Sequence, residues 1–294
     1  MIIRRQRRAG IGRSRALIAA LLTLALGAAG CAGSDPLADD GEPSRCAPDR
    51  LPLTQAGTLI IGTDTPAHEP WFEHDDPSNG QGFESAVAYA VAENLGFRRD
   101  QVSWVVAPLD TSYLPGKKPF DFDVNEISIT PERLRSVSFS SGYYAVSQAV
   151  ITMRTSPFVH TATVAELRRA TLGAQEATTS LDFVNRVVKT QQAAVTFRDA
   201  EEAKAALLDG RIDGLVTDLP TAFALTAAEI PNSAIVGQFE PDGGSTEQLG
   251  LLLERGNPLV TCLNQALTEL RSTGQLQRLE DTWLVDSSGV PRLG

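Results

Sequence analysis

Residues Phe120–Tyr144 read FDFDVNEISITPERLRSVSFSSGYY: a strand, a turn that starts a helix, and a second apolar segment. At the centre stands Thr130-Pro131-Glu132-Arg133. The first N–H groups of a helix have no carbonyl partner within it, and a threonine hydroxyl can accept from them. Proline suits the first helical position, where its missing N–H costs nothing. This spacing predicts a helix start over Pro131 to about Ser136, with Arg133 in the first turn and the Ser128 hydroxyl nearby. A guanidinium beside free N–H groups is a receptor for a carboxylate. An isolated T-P-E-R would read as a surface arginine after an ordinary cap, so the flanking sequence decides.

Outward from this stretch, apolar runs alternate with helical patterns. Leu59–Asp64 (LIIGTD) reads as a buried strand ending in polar residues. Phe83, Val87, Ala90, Val91 and Leu95 recur at helical spacing, and Gly96 is a natural C-cap. Further strands are expected at Val102–Val106, Ser147–Met153, Leu172–Ala174, Val195–Phe197, Ile212–Thr217, Ile235–Phe239 and Gln248–Leu253, and a strand and turn over Phe120–Ile129. Thr163 with Glu166, and Asp199 with Glu202, have capping-box spacing. Leu259, Leu263, Ala266, Leu267 and Leu270 line one face of a helix closed by Gly274, and a last short helix carries Trp283. Alternating strands and helices predict an α/β fold with largely parallel sheets, whose ligands bind beyond the carboxyl ends of the strands. Asp64, Ser128, Thr178-Thr179 and Asp218 each follow an apolar strand.

The charge distribution narrows the function. The formal net charge is −10, yet the first thirty residues hold six arginines and no acid, which leaves 20 basic against 36 acidic side chains beyond them. Such an acidic body argues against nucleic-acid binding. Ala16–Gly30 is apolar and rich in Leu and Ala, too short for a membrane span and typical of a signal-peptide core. It ends in Ala28-Ala29-Gly30-Cys31, which resembles a bacterial lipobox with Ala28 where Leu is usual. Residues 1–30 are thus expected to be a signal peptide, and Cys31 the lipidated first residue. Simple cleavage with an incidental Cys31 is the alternative. Residues 31–56 have few large apolar side chains and read as a flexible tether. If Cys31 is lipidated, Cys46 and Cys262 are left as a pair, and an exported protein meets oxidising conditions. A Cys46–Cys262 disulfide is therefore expected; the alternative is a buried free Cys262 and an exposed Cys46.

Seven ordered blocks resemble family 3 of the extracytoplasmic solute-binding proteins, which serve amino-acid ABC transporters. They are IIGTD (Ile60–Asp64), PWF (Pro70–Phe72), GFESAVAYAVAENLGF (Gly82–Phe97), FDFDVNEISITPER with SFSSGYY, ATTS (Ala177–Ser180), EEAKAALLDGRIDGLVTDLPTA (Glu201–Ala222) and the segment from Gly256 to Leu284. The resemblance implies the two-lobed periplasmic-binding-protein-like fold, type II, joined by a two-strand hinge. Lobe one would hold residues 57–147 and 248–284, lobe two residues 152–236, with hinges near 148–151 and 237–247. It implies a monomer, lipid-anchored at the outer face of the cell membrane, that closes on an amino acid and presents it to an ABC permease. No cofactor is implied.

The same resemblance assigns roles. Arg133 matches the arginine that pairs with the ligand α-carboxylate, with Ser128 and Thr179 adding hydrogen bonds. Asp218 matches the acid that takes the α-ammonium, and Asp64 an acidic wall position. His68 or Ala67 stands where the family places a stacking aromatic, Tyr113 is the nearest candidate for a second aromatic, and Gln175 precedes the A-T-T-S segment. Glu126, between strand and Ser128, is expected near the pocket; Glu69 and Glu84 fit surface or pocket equally. Asp218 could instead cap the helix entered at Pro220. His68, His74 and His160 lack metal-ligand spacing. Two other functions stay open: a dehydratase-like enzyme acting on cyclic carboxylates on the same fold, or a ligand sensor without transport. No nucleophile motif such as G-x-S-x-G is present, so an enzyme is not expected.

Overall fold

In chain order the strands are β1 (Leu59–Thr63), β2 (Val102–Val106), β3 (Phe122–Asp123), β4 (Val137–Phe139), β5 (Tyr144–Val146), β6 (Gln148–Met153), β7 (Leu172–Gln175), β8 (Val195–Phe197), β9 (Gly214–Asp218), β10 (Ser233–Phe239), β11 (Glu247–Leu249) and β12 (Leu252–Glu254). The helices are α1 (Phe83–Asn94), α2 (Leu109–Ser112), α3 (Val164–Leu167), α4 (Thr179–Phe183), α5 (Ala200–Leu208), α6 (Leu219–Ala224), α7 (Leu259–Ser272) and α8 (Gln275–Trp283). This computed structural model describes residues 45–239, 247–284 and 289–293. The basic leader, Cys31 and the start of the polar segment lie outside the described residues. No helix among the described residues is long and apolar enough to cross a membrane.

The strands form two five-stranded sheets, ordered β2-β1-β3-β12-β4 and β10-β6-β9-β7-β8, plus a two-stranded ladder of β5 and β11. Each sheet is the core of one lobe. The expectation of largely parallel sheets needs correction. β1 runs parallel to β2 and β3, and β7 to β8 and β9. β12, β6 and β10 enter antiparallel, because they belong to segments that cross between the lobes. Of the strand and turn expected over Phe120–Ile129, the strand is only Phe122–Asp123, and the following residues turn into the cleft.

Packing explains the pattern of apolar residues. The α1 stripe of Phe83, Val87, Ala90 and Val91 is buried with Leu263, Ala266 and Leu267 of α7 in the core of lobe one. Gly82 starts α1 with φ 89°, and a Cβ there would meet the Trp71 carbonyl oxygen at 2.5 Å. Only glycine allows this approach, through which the Glu84 N–H donates to that carbonyl at 2.9 Å. The Trp71-Phe72 turn thereby fixes where α1 begins and where Glu84 lies.

The folded body begins earlier than residue 57. Leu51 is buried in the core of lobe one. Both oxygens of Asp121 are used, accepting from Thr54 N–H at 2.6 Å and Ile60 N–H at 2.7 Å. Cys46 and Cys262 are disulfide-bonded, with Cα atoms 5.4 Å apart. The C-terminus also departs from the sequence reading, which ended at Leu284. Pro291 accepts from the Gln238 N–H at 2.8 Å, and the Leu293 N–H donates to the Gln238 carbonyl at 2.9 Å. Leu293 is buried beside Phe239 in lobe two, whereas α8 packs on α1 and α7 in lobe one. The chain therefore joins the lobes a third time after the two crossing strands.

Replacing Cys46 and Cys262 by serine removes a cross-link between residues 216 positions apart. Losing such a bond costs about 2–5 kcal/mol, and each kcal/mol moves the Tm of a domain this size by roughly 2–4 °C. Calorimetry should find the double variant melting about 5–15 °C lower. An unchanged Tm would show that the bond does not hold residues 45–56 in place.

Candidate functional site

The TPER turn folds more tightly than predicted. Thr130 accepts from the Arg133 N–H at 3.1 Å through its hydroxyl, and from the Leu134 N–H at 3.0 Å through its carbonyl. A single 3-10 turn, Arg133–Arg135, then replaces the longer helix. The reason is β4, which draws Val137–Phe139 into the ladder with β12. Arg133 points inward and is only 8% exposed. Its guanidinium donates to the Ser128 carbonyl at 2.9 Å in lobe one and to the Ala177 carbonyl at 2.9 Å in lobe two. The Tyr113 ring lies 4.9 Å from the Arg133 Cζ, a cation–π contact. Burial pulls the arginine's pKa below its ordinary value, while Tyr113 and Glu247 pull it back up. None of the ion pairs among the described residues uses Arg133.

Lobe two meets this arginine with the start of α4. Ala177 has φ 62°, a left-handed conformation that costs a residue with a Cβ roughly 1–2 kcal/mol. In that conformation its carbonyl serves Arg133. Thr178 is the helix cap, accepting from the Leu181 N–H at 3.2 Å. Thr179 then reaches across the cleft, its hydroxyl 3.4 Å from that of Ser128.

Carboxylates dominate the rest. Asp218 ends β9 but does not cap α6 with its side chain; instead it accepts from Gln148 Nε2 at 2.5 Å. Glu126 has φ 50°, and its N–H donates to Glu84 at 2.7 Å. Its carboxylate accepts from the Thr221 hydroxyl at 3.0 Å, and that hydroxyl accepts from Trp71 Nε1 at 2.8 Å. Trp71, Thr221 and Glu126 thus tie the two lobes together. Glu84 is fully buried and also accepts from the Tyr143 hydroxyl. It is neither of the two alternatives that the sequence offered.

Burial in low dielectric disfavours a charged carboxylate. It pushes Glu84 up to about 8 and Asp123 up to about 7. Glu126 and Asp218 stand well above their ordinary values, first through burial, then through Asp218 acting on Glu126 and Glu247 acting on Asp218. Among the described residues, one oxygen each of Glu84 and Asp123 has no hydrogen-bond partner, which leaves it able to carry the proton.

A cavity of about 140 Å³ lies between the lobes. Asp64, His68, Glu126, Ser128 and Arg133 line it from one side, and Gln175, Thr179 and Asp218 from the other. Tyr113 is not on its wall; the ring is occupied with Arg133 instead. Sequence reading missed Thr221, Gln148 and Glu247. The last two are polar residues at the starts of buried strands, which was the available signal. It also gave the histidines no metal spacing, whereas the structure brings ligand atoms of Glu69, Glu73 and His74 within 4.8 Å of one another. That loop cluster has no buried member.

Residues 59–286 match the family model described as bacterial extracellular solute-binding proteins, family 3. The L-cystine-binding protein TcyJ of Escherichia coli K12 is 26% identical over 237 residues, covering 79% of this chain and 84% of that protein. The arginine-binding extracellular protein ArtP of Bacillus subtilis 168 is 23% identical, covering 91% and 95%. Among solved structures, the ancestral amino acid-binding protein AncCDT-1, a precursor of cyclohexadienyl dehydratase, superposes with TM-score 0.64 at 27% identity, covering 78% of this chain and 96% of that one. An ancestral arginine-binding protein bound to arginine gives 0.63 at 26%, covering 77% and 98%.

The raised carboxyl of Glu84 predicts a pH dependence. The folded state holds a proton that the unfolded state has released, so its contribution to stability is present at low pH and lost as pH rises through the folded value of about 8. The Tm of the wild-type protein should fall relative to that of Glu84→Gln between about pH 5 and about pH 8. Parallel Tm profiles for the two proteins would contradict this.

Proposed function

Because the chain belongs to family 3 of the bacterial extracellular solute-binding proteins, we propose that it captures a polar amino acid between its lobes and delivers it to an ABC importer. The observation that carries this reading is Arg133: a buried guanidinium, shared by both lobes, with no carboxylate paired to it among the described residues. A ligand α-carboxylate completes it, with the Ser128 and Thr179 hydroxyls beside it. Asp218 receives the α-ammonium. A ligand held by both lobes favours closure, since it makes more contacts with the lobes together than apart.

The wall of the cavity supports a positively charged side chain. Asp64, Glu69, Glu126, Asp199, Glu201, Asp218 and Glu229 line it, and Arg133 is its one arginine among the described residues. A cationic side chain offsets this excess, whereas an acidic one adds to it. Export through the N-terminal leader and anchoring through Cys31 would hold the protein at the outer face of the membrane, where its permease partner lies. A dehydratase-like activity is the second reading. It draws on Glu126 and Asp218, whose raised carboxyls could serve as general acids.

The test is a thermal-shift screen of the mature, oxidised protein against the common amino acids, ornithine, citrulline, cystine and cyclic carboxylates. A ligand at about one hundred times its Kd adds about 2.7 kcal/mol, or roughly 5–10 °C. The expected hit is an amino acid with a cationic side chain, and Arg133→Ala should weaken it by about 100-fold or more in calorimetry. Failure of every amino acid to shift the Tm would overturn the reading. Turnover of a cyclic carboxylate would replace it with the enzyme.

A further inference from the structure

Gln148 and Glu247 are buried polar side chains on the segments that cross between the lobes. Gln148 starts β6 and is opposite Asp218 in the β6–β9 ladder. Glu247 starts β11, whose Leu249 bridges to Ser128. The two side chains meet, Gln148 Nε2 donating to Glu247 at 3.1 Å. Neither is on the cavity wall. Every other partner they have in this network belongs to the candidate site or its frame. Gln148 Nε2 donates to Asp218 at 2.5 Å, and Gln148 Oε1 accepts from the Ser180 hydroxyl at 2.6 Å. Glu247 accepts from the Ser128 hydroxyl.

We propose that Gln148 and Glu247 are positioning residues for the ligand site: together they hold Ser128 of lobe one and Asp218 of lobe two in register across the hinge. The inference rests on the reading of those two residues as ligand contacts.

The network has one consistent orientation. Asp218 and Glu247 face the same end of the Gln148 amide, and that end is assigned as the NH₂ group, since turning it over would set its oxygen against the Glu247 carboxylate. Ser180, which can donate, takes the oxygen at the other end. Gln148 thereby aligns Asp218 and the start of α4, while Glu247 passes the alignment on to Ser128. Glu247 has an electrostatic role as well. Asp218 is faced by Glu247 from β11, Glu84 from α1, Glu126 and Arg133 from the cleft, and Tyr144 from β5. After burial, Glu247 is the largest influence raising the pKa of the Asp218 carboxyl, opposed by the Gln148 hydrogen bond and by Arg133. A ligand ammonium needs the ionised carboxylate, so binding is lost as pH falls through the raised Asp218 value.

Two substitutions push this acid limb in opposite directions. Glu247→Gln removes a neighbouring negative charge and should move the limb of ligand affinity down by about one pH unit. Gln148→Glu removes the donor and adds a charge, and should move it up by about one pH unit. Affinity near neutral pH should fall about 10-fold or more in both, since each disturbs the alignment of Ser128 and Asp218. Carbon-13 carboxyl NMR of Asp218 without added amino acid should show the same two displacements. If Tm falls in both variants while the limb and the Asp218 titration stay where they are in the wild-type protein, the residues are merely structural and the proposal is overturned. If the wild-type protein binds no amino acid, the functional reading fails, and the Asp218 titration alone decides whether Gln148 and Glu247 set its state.

Discussion

A guanidinium withdrawn from water must be given acceptors and, ideally, a counter-charge. Arg133 is such a group, and the cleft is arranged around it. Two backbone carbonyls accept from it, one from each lobe, and an aromatic ring lies over it. Carbonyls and a ring satisfy direction but do not neutralise charge. Meeting the second carbonyl requires Ala177 to adopt a left-handed conformation, a local cost that the surrounding fold sustains. The complementary problem is one of acids: Glu84 and Glu126 of lobe one and Asp218 of lobe two are all buried, and burial raises the pKa of each. A guanidinium with no carboxylate paired to it among the described residues, and a group of crowded acids in the same cleft, suit a zwitterion whose two ends carry the opposite charges.

This arrangement also says why the lobes belong together. The Trp71–Thr221–Glu126 chain and the Arg133–Ala177 bond both cross the cleft. These contacts across the cleft are directional and polar, and such contacts can break and reform. Each lobe keeps its own apolar core. The disulfide ties residue 46 to lobe one, and the C-terminal residues tie lobe one back to β10.

Much of the cleft was legible because its residues follow apolar strands. Asp218 ends β9, Thr179 follows β7, and Ser128 and Arg133 stand in the loop that follows β3, where the chemistry of a cap or an N–H cluster is local. Tyr113 was legible as an aromatic near the site but not as a partner of Arg133. Gln148 and Glu247 were illegible for a physical reason. Their partners are 70, 99 and 119 residues away in sequence, and only the register of the crossing strands brings them together. Glu84 was misjudged because an acid in the first turn of a helix is ordinarily solvated; the close packing at Gly82 buries it here. The order of residues 45–56 was hidden by their polarity, which says nothing of a disulfide or of the hydrogen bonds Asp121 makes.

The most direct measurement is a crystal structure with the amino acid that raises the Tm most. The ligand carboxylate should lie on the Arg133 guanidinium and the Ser128 hydroxyl, with the ligand ammonium beside Asp218. A carboxylate held by another cation, with Arg133 still confined to the Ser128 and Ala177 carbonyls, would contradict it.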